Sequence, residues 1–404
     1  MKLLFVTNLY PKESIDLFRY LASGYIQNAP NVFQWAVIDG LLNNNADFEV
    51  VSLPALPAYP LNYKKLYTLS GVVKAEYINI GKMLSYCDLV VLKTFSMRYR
   101  LQKYLFEWVK RNVGNGELLV ILTYTPYVPF IKAVKNLKNK YPNIILASIV
   151  TDLVDDMMNF SSNQSVCKRI QCEIETRQTK KQYRYIDKFV LLAQPMMEKI
   201  PEADGKSIII EGIATKKPFK QKKNVFNSRT LLYTGTLEEY SGVRDLVQAF
   251  MKIPNVNYRL IVCGDGTLAS FVKEQTVIDS RIIFKGLVPR EEALKLQEEA
   301  TALINPRKPD CEITRFSFPS KTMEYLSSGT PMIGYKLEGI PPEYYDYFFT
   351  VINTEEDNLR DTIAMVLSLP QEELDAKAYV AHHFIENQKT STIQVKKILD
   401  FISK

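Results

Sequence analysis

Short, continuous apolar runs recur along this 404-residue chain, separated by longer amphipathic stretches. In the first half they fall at residues 3–7, 48–52, 89–92, 118–122, 144–150, 189–192 and 208–211. A strand with one wet face alternates apolar and polar residues. These runs do not alternate, so they predict parallel strands covered on both faces. Residues 32–42 and 130–140 read as helices between them. Repeated βα units of this kind form a doubly wound sheet. A second series follows, with strands expected at 231–234, 258–263, 281–284, 301–304, 331–334 and 348–351, and a helix at 243–250. Residues 391–402 set Ile393, Val395, Ile398, Leu399 and Ile402 mostly on one helical face, with Ser391 and Thr392 as caps.

A chain of this length exceeds one ordinary core and suits two domains. The pattern breaks at residues 216–223, KKPFKQKK, a basic stretch with a proline that reads as a solvated connection. The expected division is an N-terminal Rossmann-like domain over 1–215, a linker over 216–228, a C-terminal Rossmann-like domain over 229–378, and closing helices over 379–404. Hydrophobic residues at 47% and charged residues at 24% exclude a disordered chain. The net charge of +7 favours anionic partners such as phosphates or a membrane surface, without singling out nucleic acid. Cys87, Cys167, Cys172, Cys263 and Cys311 are odd in number, scattered and without a CxxC pair, which indicates neither a zinc site nor a disulfide framework. They read as reduced thiols of a cytosolic protein. The start reads as a first strand rather than a signal peptide, and no apolar run approaches the roughly 20 residues that cross a bilayer. The protein is expected to be soluble, or at most to sit on a membrane.

Residues 305–331 hold the chemistry. Ser317-Phe318-Pro319-Ser320-Lys321-Thr322-Met323-Glu324 precede Gly329 and Pro331. Proline cannot sit inside a helix and Ser320 is a good N-cap, so a short helix is expected to start near Lys321 and stop before Gly329. Its free N–H groups and positive dipole end make an anion site, to which Lys321 adds charge. Glu324, one turn inside, could accept two hydroxyls of a ribose. Arg307 follows a strand expected to end where open α/β sheets bind ligands. Gly264-Asp265-Gly266 close another strand, with Asp265 reading first as a turn residue.

The run Asn305-Pro306-Arg307 … Phe318-Pro319-Ser320-Lys321 … Glu324-Tyr325 resembles the donor-binding signature of retaining GT-B glycosyltransferases of the family 4 type, in the polysaccharide-assembly branch. Tyr233-Thr234-Gly235-Thr236-Leu237 … Ser241-Gly242-Val243, the Gly264 turn, Ile283-Phe284-Lys285-Gly286-Leu287-Val288 and Glu338-Gly339-Ile340-Pro341 agree with it in order and spacing. The clear resemblance spans about residues 230–345. It implies two facing Rossmann-like domains, an N-terminal one for the acceptor and a C-terminal one for a nucleotide-sugar donor, UDP- or GDP-linked, with the helices over 379–404 packing back on the N-terminal domain. The acceptor would be a glycan or lipid-linked saccharide, the setting cell-surface polysaccharide synthesis, and the location the cytoplasm, extending to the inner membrane face. No cofactor or metal is implied.

Residue by residue the resemblance carries over unevenly. Glu324 matches the second glutamate of the family's Glu-x7-Glu motif, whereas the first would fall at Phe316. Asp310 and Glu312 are carboxylates in the neighbouring loop that could lean into the same space. The arginine and lysine that usually neutralise the diphosphate would stand near Thr236 and Ser241 and are missing. Arg307 and Lys321 are the replacements expected, with Arg315 and Arg244 behind them. Gly235, Thr236, Gly264 and Gly266 would line the nucleotide, and Gly286 and Leu287 would present backbone groups to the base. Thr151 stands where the family often has a histidine, and Asp152 remains beside it, readable equally as a helix cap. His382 and His383, the only histidines, read as surface residues, so a histidine base is not expected. Gly24, in the loop after the first strand, reads first as a loop glycine and otherwise as a close approach to the donor phosphates. The helix at 130–140 sets Phe130, Ile131, Val134 and Leu137 apart from Lys132, Lys135, Lys138 and Lys140, a core face and a solvated face or else a face for anionic lipid. Two other readings of the chain remain open at this point: a nucleotide-sugar epimerase or hydrolase, and a non-catalytic sugar-nucleotide-binding partner of a transferase.

Overall fold

The computed structural model describes residues 1–24, 26–114, 116–153, 166–214, 219, 228–310 and 312–404. The chain divides into two compact α/β units: unit 1, Met1–Leu192, Met196–Ile210 and Ser391–Lys404, and unit 2, Ala193–Pro195 and Glu211–Thr390. Of the expected linker only Phe219 and Ser228 are among the described residues, and Cys311 is outside them.

Unit 1 is built on eight strands: β1 Lys2–Thr7, β2 Phe48–Ser52, β3 Gly71–Ala75, β4 Ile78–Met83, β5 Leu119–Tyr124, β6 Ile145–Val150, β7 Lys188–Leu191 and β8 Ser207–Ile209. Their order is β3-β4-β2-β1-β5-β6-β7-β8, parallel throughout except for the β3–β4 hairpin. Helices α1 Ile15–Leu21, α2 Asn28–Asn43, α3 Lys93–Asn112, α4 Val128–Lys138 and α5 Val166–Tyr183 belong to the same unit. The central strands are buried on both faces, with Leu3, Leu4, Phe5, Val6, Val120 and Ile121 fully covered, which is why they read as unbroken apolar runs.

The run at 89–92 is not a strand. It forms the turn into α3, and Val90, Val91 and Leu92 are exposed. The place beside β2 is taken by β4, where a side chain at Gly81 would put its Cβ 1.8 Å from the Val50 carbonyl oxygen. Glycine is therefore required for that close approach. The apolar side of α4 is core, with Phe130, Ile131, Val134 and Leu137 fully buried. Its Lys135 donates to the Tyr185 hydroxyl at 2.7 Å and Lys138 pairs with Asp187. That helix offers no apolar face to a bilayer.

Unit 2 has six strands: β9 Arg229–Thr234, β10 Tyr258–Cys263, β11 Ile282–Gly286, β12 Ala302–Asn305, β13 Met332–Tyr335 and β14 Phe349–Val351. The order β11-β10-β9-β12-β13-β14 is parallel throughout, the doubly wound arrangement that reverses direction between β9 and β12. Its helices are α6 Val243–Met251, α7 Ala269–Ile278, α8 Arg290–Glu299, α9 Glu312–Arg315, α10 Ser320–Leu326, α11 Glu356–Ser368 and α12 Gln371–Gln388.

The last helix, α13 Ser391–Ile402, packs on α2 in unit 1. A Cβ at Gly40 would lie 2.4 Å from both the Ser391 oxygen and a Val395 methyl, so the cost of glycine inside α2, about 1 kcal/mol, is offset by that contact. The preceding α12 stays in unit 2, contrary to the expectation that all of 379–404 returns. Its Phe384 stacks on Tyr347 at 4.1 Å and meets Tyr344 edge-on at 5.0 Å. His382 is buried rather than superficial, its ring 5.3 Å from that of Phe219, while His383 is exposed.

Candidate functional site

The carboxyl ends of β9, β10 and β11 are joined through glycine backbone. The Gly235 N–H donates to the Cys263 oxygen at 3.0 Å, and the Gly264 N–H to the Gly286 oxygen at 2.8 Å. Gly264 has φ +146°, and a Cβ there would stand 1.8 Å from the Gly235 oxygen. Gly266, at φ +152°, would put a Cβ 2.6 Å from the oxygen of Leu237, whose N–H bonds the Asp265 oxygen at 2.9 Å. The three strand ends thus present bare backbone, as a pyrophosphate or base requires for close approach. The Asp265 carboxylate accepts from the Gly266 N–H at 2.9 Å and holds its own turn. Gly286 has φ +64°, and Leu287 beyond it is 81% exposed.

Short helix α10 is fixed beneath the end of β9. The Thr234 N–H donates to the Tyr325 hydroxyl at 2.9 Å, and that hydroxyl donates back to the Thr234 oxygen at 3.1 Å. Glu324 is thereby placed beside the strand end. The fully buried Gln297 of α8 donates through Nε2 to Thr234 Oγ1 at 3.0 Å and to Glu324 Oε1 at 2.7 Å. Lys321 Nζ donates to the same Oε1 at 2.7 Å, and among the described residues Oε2 meets only Arg290, at 3.4 Å. Burial would push the Glu324 carboxyl up; the Lys321 charge and hydrogen bond, the Gln297 bond and the Arg290 charge outweigh it and hold the carboxyl below its usual value. Glu324 is therefore an ionised acceptor with one oxygen held and the other available to a hydroxyl.

The amino end of α10 departs from expectation in one respect. Pro319, not Ser320, occupies the N-cap position, and no side chain caps the helix. Proline fixes its own φ near the value this turn needs, so the helix starts at Ser320 itself. Ser320 is exposed, which leaves that end open.

Arg307 follows β12 at the reversal between β9 and β12. Its guanidinium lies 5.4 Å over the Tyr240 ring, and among the described residues it has no carboxylate partner. Gly242 permits this geometry, since a Cβ there would be 2.1 Å from the Pro306 oxygen. The other expected cations are paired: Lys321 with Glu324, Arg244 with Glu239 at 2.6 Å, and Arg315 with Glu338 at 2.7 Å. Phe316 is 2% exposed and serves the core, while Asp310 and Glu312 lie at the surface. Thr236 lies in the loop after β9, its oxygen accepting from the Tyr233 hydroxyl at 2.7 Å.

Asp152 belongs to unit 1, in the bend after β6. The surrounding protein pushes its carboxyl up, opposed by the Thr151 hydroxyl. Gly24 does not follow the first strand directly; it terminates α1, its N–H bonding the Arg19 oxygen at 2.7 Å, and open space surrounds it. Sequence reasoning missed Gln297, which sits in a helix with no motif, and the pinning role of Tyr325, whose place directly after Glu324 was the available signal.

Residues 228–368 match the family model described as Glycosyl transferases group 1. No curated protein is significantly similar to the sequence. Among solved structures, sucrose-phosphate synthase from Thermosynechococcus elongatus matches at 12% identity and TM-score 0.64, over 100% of this chain and 98% of its own. HepE from Anabaena, in complex with UDP and glucose, matches at 13% identity and TM-score 0.63, over 100% and 99%. The lipopolysaccharide outer core galactosyltransferase WaaB matches at 14% and 0.59, over 100% and 99%. At such identities the likeness establishes the fold. Residues 228–368 are therefore similar to the group 1 glycosyltransferase family, within a chain of GT-B fold.

Proposed function

We propose that this protein transfers a hexose or similar sugar, with retention and without a metal, from a UDP- or GDP-sugar to a glycan or lipid-linked saccharide. Its setting would be cell-surface polysaccharide assembly in the cytoplasm or at the inner membrane face. The observation that carries the reading is Glu324: ionised, with Oε1 held by Gln297 and Lys321 and Oε2 available, beside the strand-end glycines. A ribose hydroxyl donating to Oε2 would set the nucleotide so that its diphosphate meets Arg307 and the open amino end of α10. In a retaining displacement on one face of the sugar, the glycosyl–phosphate bond breaks, the leaving phosphate oxygen takes the acceptor's proton, and the acceptor oxygen joins the anomeric carbon. No histidine is needed for this. Asp152 of unit 1 is assigned to the acceptor side.

Two observations favour a second reading, a protein that binds the sugar nucleotide without turning it over. Phe316 is in the core, and Arg244 and Arg315 are committed to carboxylates. The test is a panel of UDP- and GDP-sugars read by thermal shift and by turnover, with the anomeric configuration of any product read by NMR. Glu324→Gln, which keeps the shape and removes the charge, is expected to weaken donor affinity roughly 10- to 100-fold, the worth of a hydrogen bond to a charged group. Unchanged affinity would remove Glu324 from the site. Binding with no turnover of any donor would establish the second reading.

A further inference from the structure

Between residues 61 and 103 the chain carries eight lysines and arginines against two acids, so nearly all of the +7 excess resides in this stretch. One of the two acids, Asp88, is buried and paired with Lys93 at 2.9 Å. The same stretch exposes large apolar side chains where a globular surface ordinarily shows them singly. In the turn before α3, Val90, Val91 and Leu92 are 55%, 82% and 48% exposed. On α3, Phe95 and Tyr99, one turn apart, are 66% and 61% exposed, and Lys103 continues that face. The opposite face of α3, with Met97, Leu101 and Leu105, is buried.

These groups adjoin one another. Tyr67 pairs with Cys87, the Asp88 N–H donates to the Leu66 oxygen at 2.8 Å, and Cys87 N–H to Ser96 Oγ at 2.9 Å. Exposed Leu66 and Tyr67 are thus side by side with the turn and the first turns of α3. Lys64 and Lys65 flank them, with Lys64 3.7 Å over the exposed Tyr20 ring. Arg100, bonded to the Ser85 oxygen at 2.9 Å, borders the other side. The patch lies on the loops after β2 and β4, at the carboxyl end of the unit 1 sheet.

We propose that this surface docks on an anionic lipid bilayer. Exposed aliphatics and aromatics rimmed by cations fit the boundary between headgroups and acyl chains. A protein interface is the poorer match, because lysine is depleted there. A nucleic acid would leave the aliphatic groups without a role. Among the described residues no helix can cross a membrane, so the contact is peripheral. Delivery of a lipid-linked acceptor to this end of unit 1 rests on the transferase reading above; the membrane contact itself does not.

The experiment is flotation of the full chain with vesicles of phosphatidylcholine alone or mixed with phosphatidylglycerol, at low and high salt. The wild type is expected to float with the mixed vesicles at low salt and to be released by salt. The double variant V91D/F95S is expected to lose partitioning roughly tenfold or more, since it removes apolar insertion. K64E/K65E is expected to abolish the preference for the anionic lipid. All four side chains are exposed, so both variants should unfold at the wild-type temperature. A wild type that stays unbound at low salt overturns the proposal, as does equal flotation of V91D/F95S. A soluble dimer that V91D/F95S converts to monomer overturns it in favour of a protein interface. Thermal shift with nucleotide sugars on the same samples separates this outcome from that of the transferase reading.

Discussion

Three aspartates of unit 1 and four carboxylates of unit 2 are shifted in opposite directions. In unit 1, burial raises Asp39, Asp88 and Asp152 above the ordinary aspartate value, and nearby Lys12, Lys93 and Thr151 only partly oppose it. In unit 2, burial acts on Glu211 and Glu324 in the same direction, but the ion pairs with Lys389 and Lys321 outweigh it. Glu239 and Asp279 are lowered chiefly by hydrogen bonds from Arg244 and Arg281. Two sheets of similar parallel build therefore carry different electrostatics. Unit 2 holds Glu211, Glu239, Asp279 and Glu324 in the charged form with nearby cations. In unit 1 the cations near Asp39 and Asp88 and the hydroxyl near Asp152 leave those three acids under-compensated.

The glycines give the largest expected effect by which to break this contrast. Gly264→Ala would force a Cβ to 1.8 Å from the Gly235 oxygen at a φ of +146°. The β9 and β10 ends would have to separate, at a cost of about 3 kcal/mol or more. Gly24→Ala in unit 1 meets open space at φ +88° and should cost only about 1–2 kcal/mol, the left-handed penalty alone. Urea unfolding of both variants, with donor thermal shift on each, checks this. Equal effects would mean that unit 2 does not depend on its strand-end glycines.

Lys389→Met comes next. Lys389 and Glu211 are each 5% exposed in the side chain and paired, with Tyr344 donating to Glu211 at 2.7 Å and half-exposed Glu343 alongside. Removing the cation leaves a buried carboxylate under-compensated, a loss of about 3 kcal/mol at neutral pH. It would also turn Glu211 into a group of the unit 1 kind, its carboxyl raised, so part of the lost stability should return on acidification. Denaturation midpoints at neutral and mildly acid pH measure both; a loss that does not depend on pH would contradict the ion-pair account.

The same chemistry explains what was legible in the sequence. Strands β1, β5, β9 and β12 were legible because burial on both faces makes a continuous apolar run. The run at 89–92 has the same look for another reason: Val90, Val91 and Leu92 are apolar at the surface, and periodicity cannot tell a covered residue from an exposed one. The β3–β4 hairpin was missed because half of its residues are wet and Gly71 and Gly81 interrupt it. Glu324 stood in a recognisable motif. Gln297 did not, because its role comes from the packing of α8 against the end of β9 and not from any local spacing. The pairing of Lys321 with Glu324, three residues apart, was within reach of helix geometry.

Acid should separate the two units by a smaller margin. Glu211 and Glu324 have folded values below the ordinary glutamate value of 4.5. Their contribution is complete above that pH and is lost as pH falls through it toward the folded values. Asp88 and Asp152 have folded values above the ordinary 3.8. For them the folded state binds the proton more tightly, so their contribution is full below 3.8 and is lost as pH rises through the folded values. Acidification from neutrality thus first relieves unit 1 and then, below about pH 4.5, weakens unit 2. Hydrogen exchange corrected for intrinsic rates should show peptides of β9 and α10 losing protection before those of β4 and β5. The reverse order would show that the paired carboxylates of unit 2 do not govern its acid response, and the contrast between the two sheets would then rest on their glycines alone.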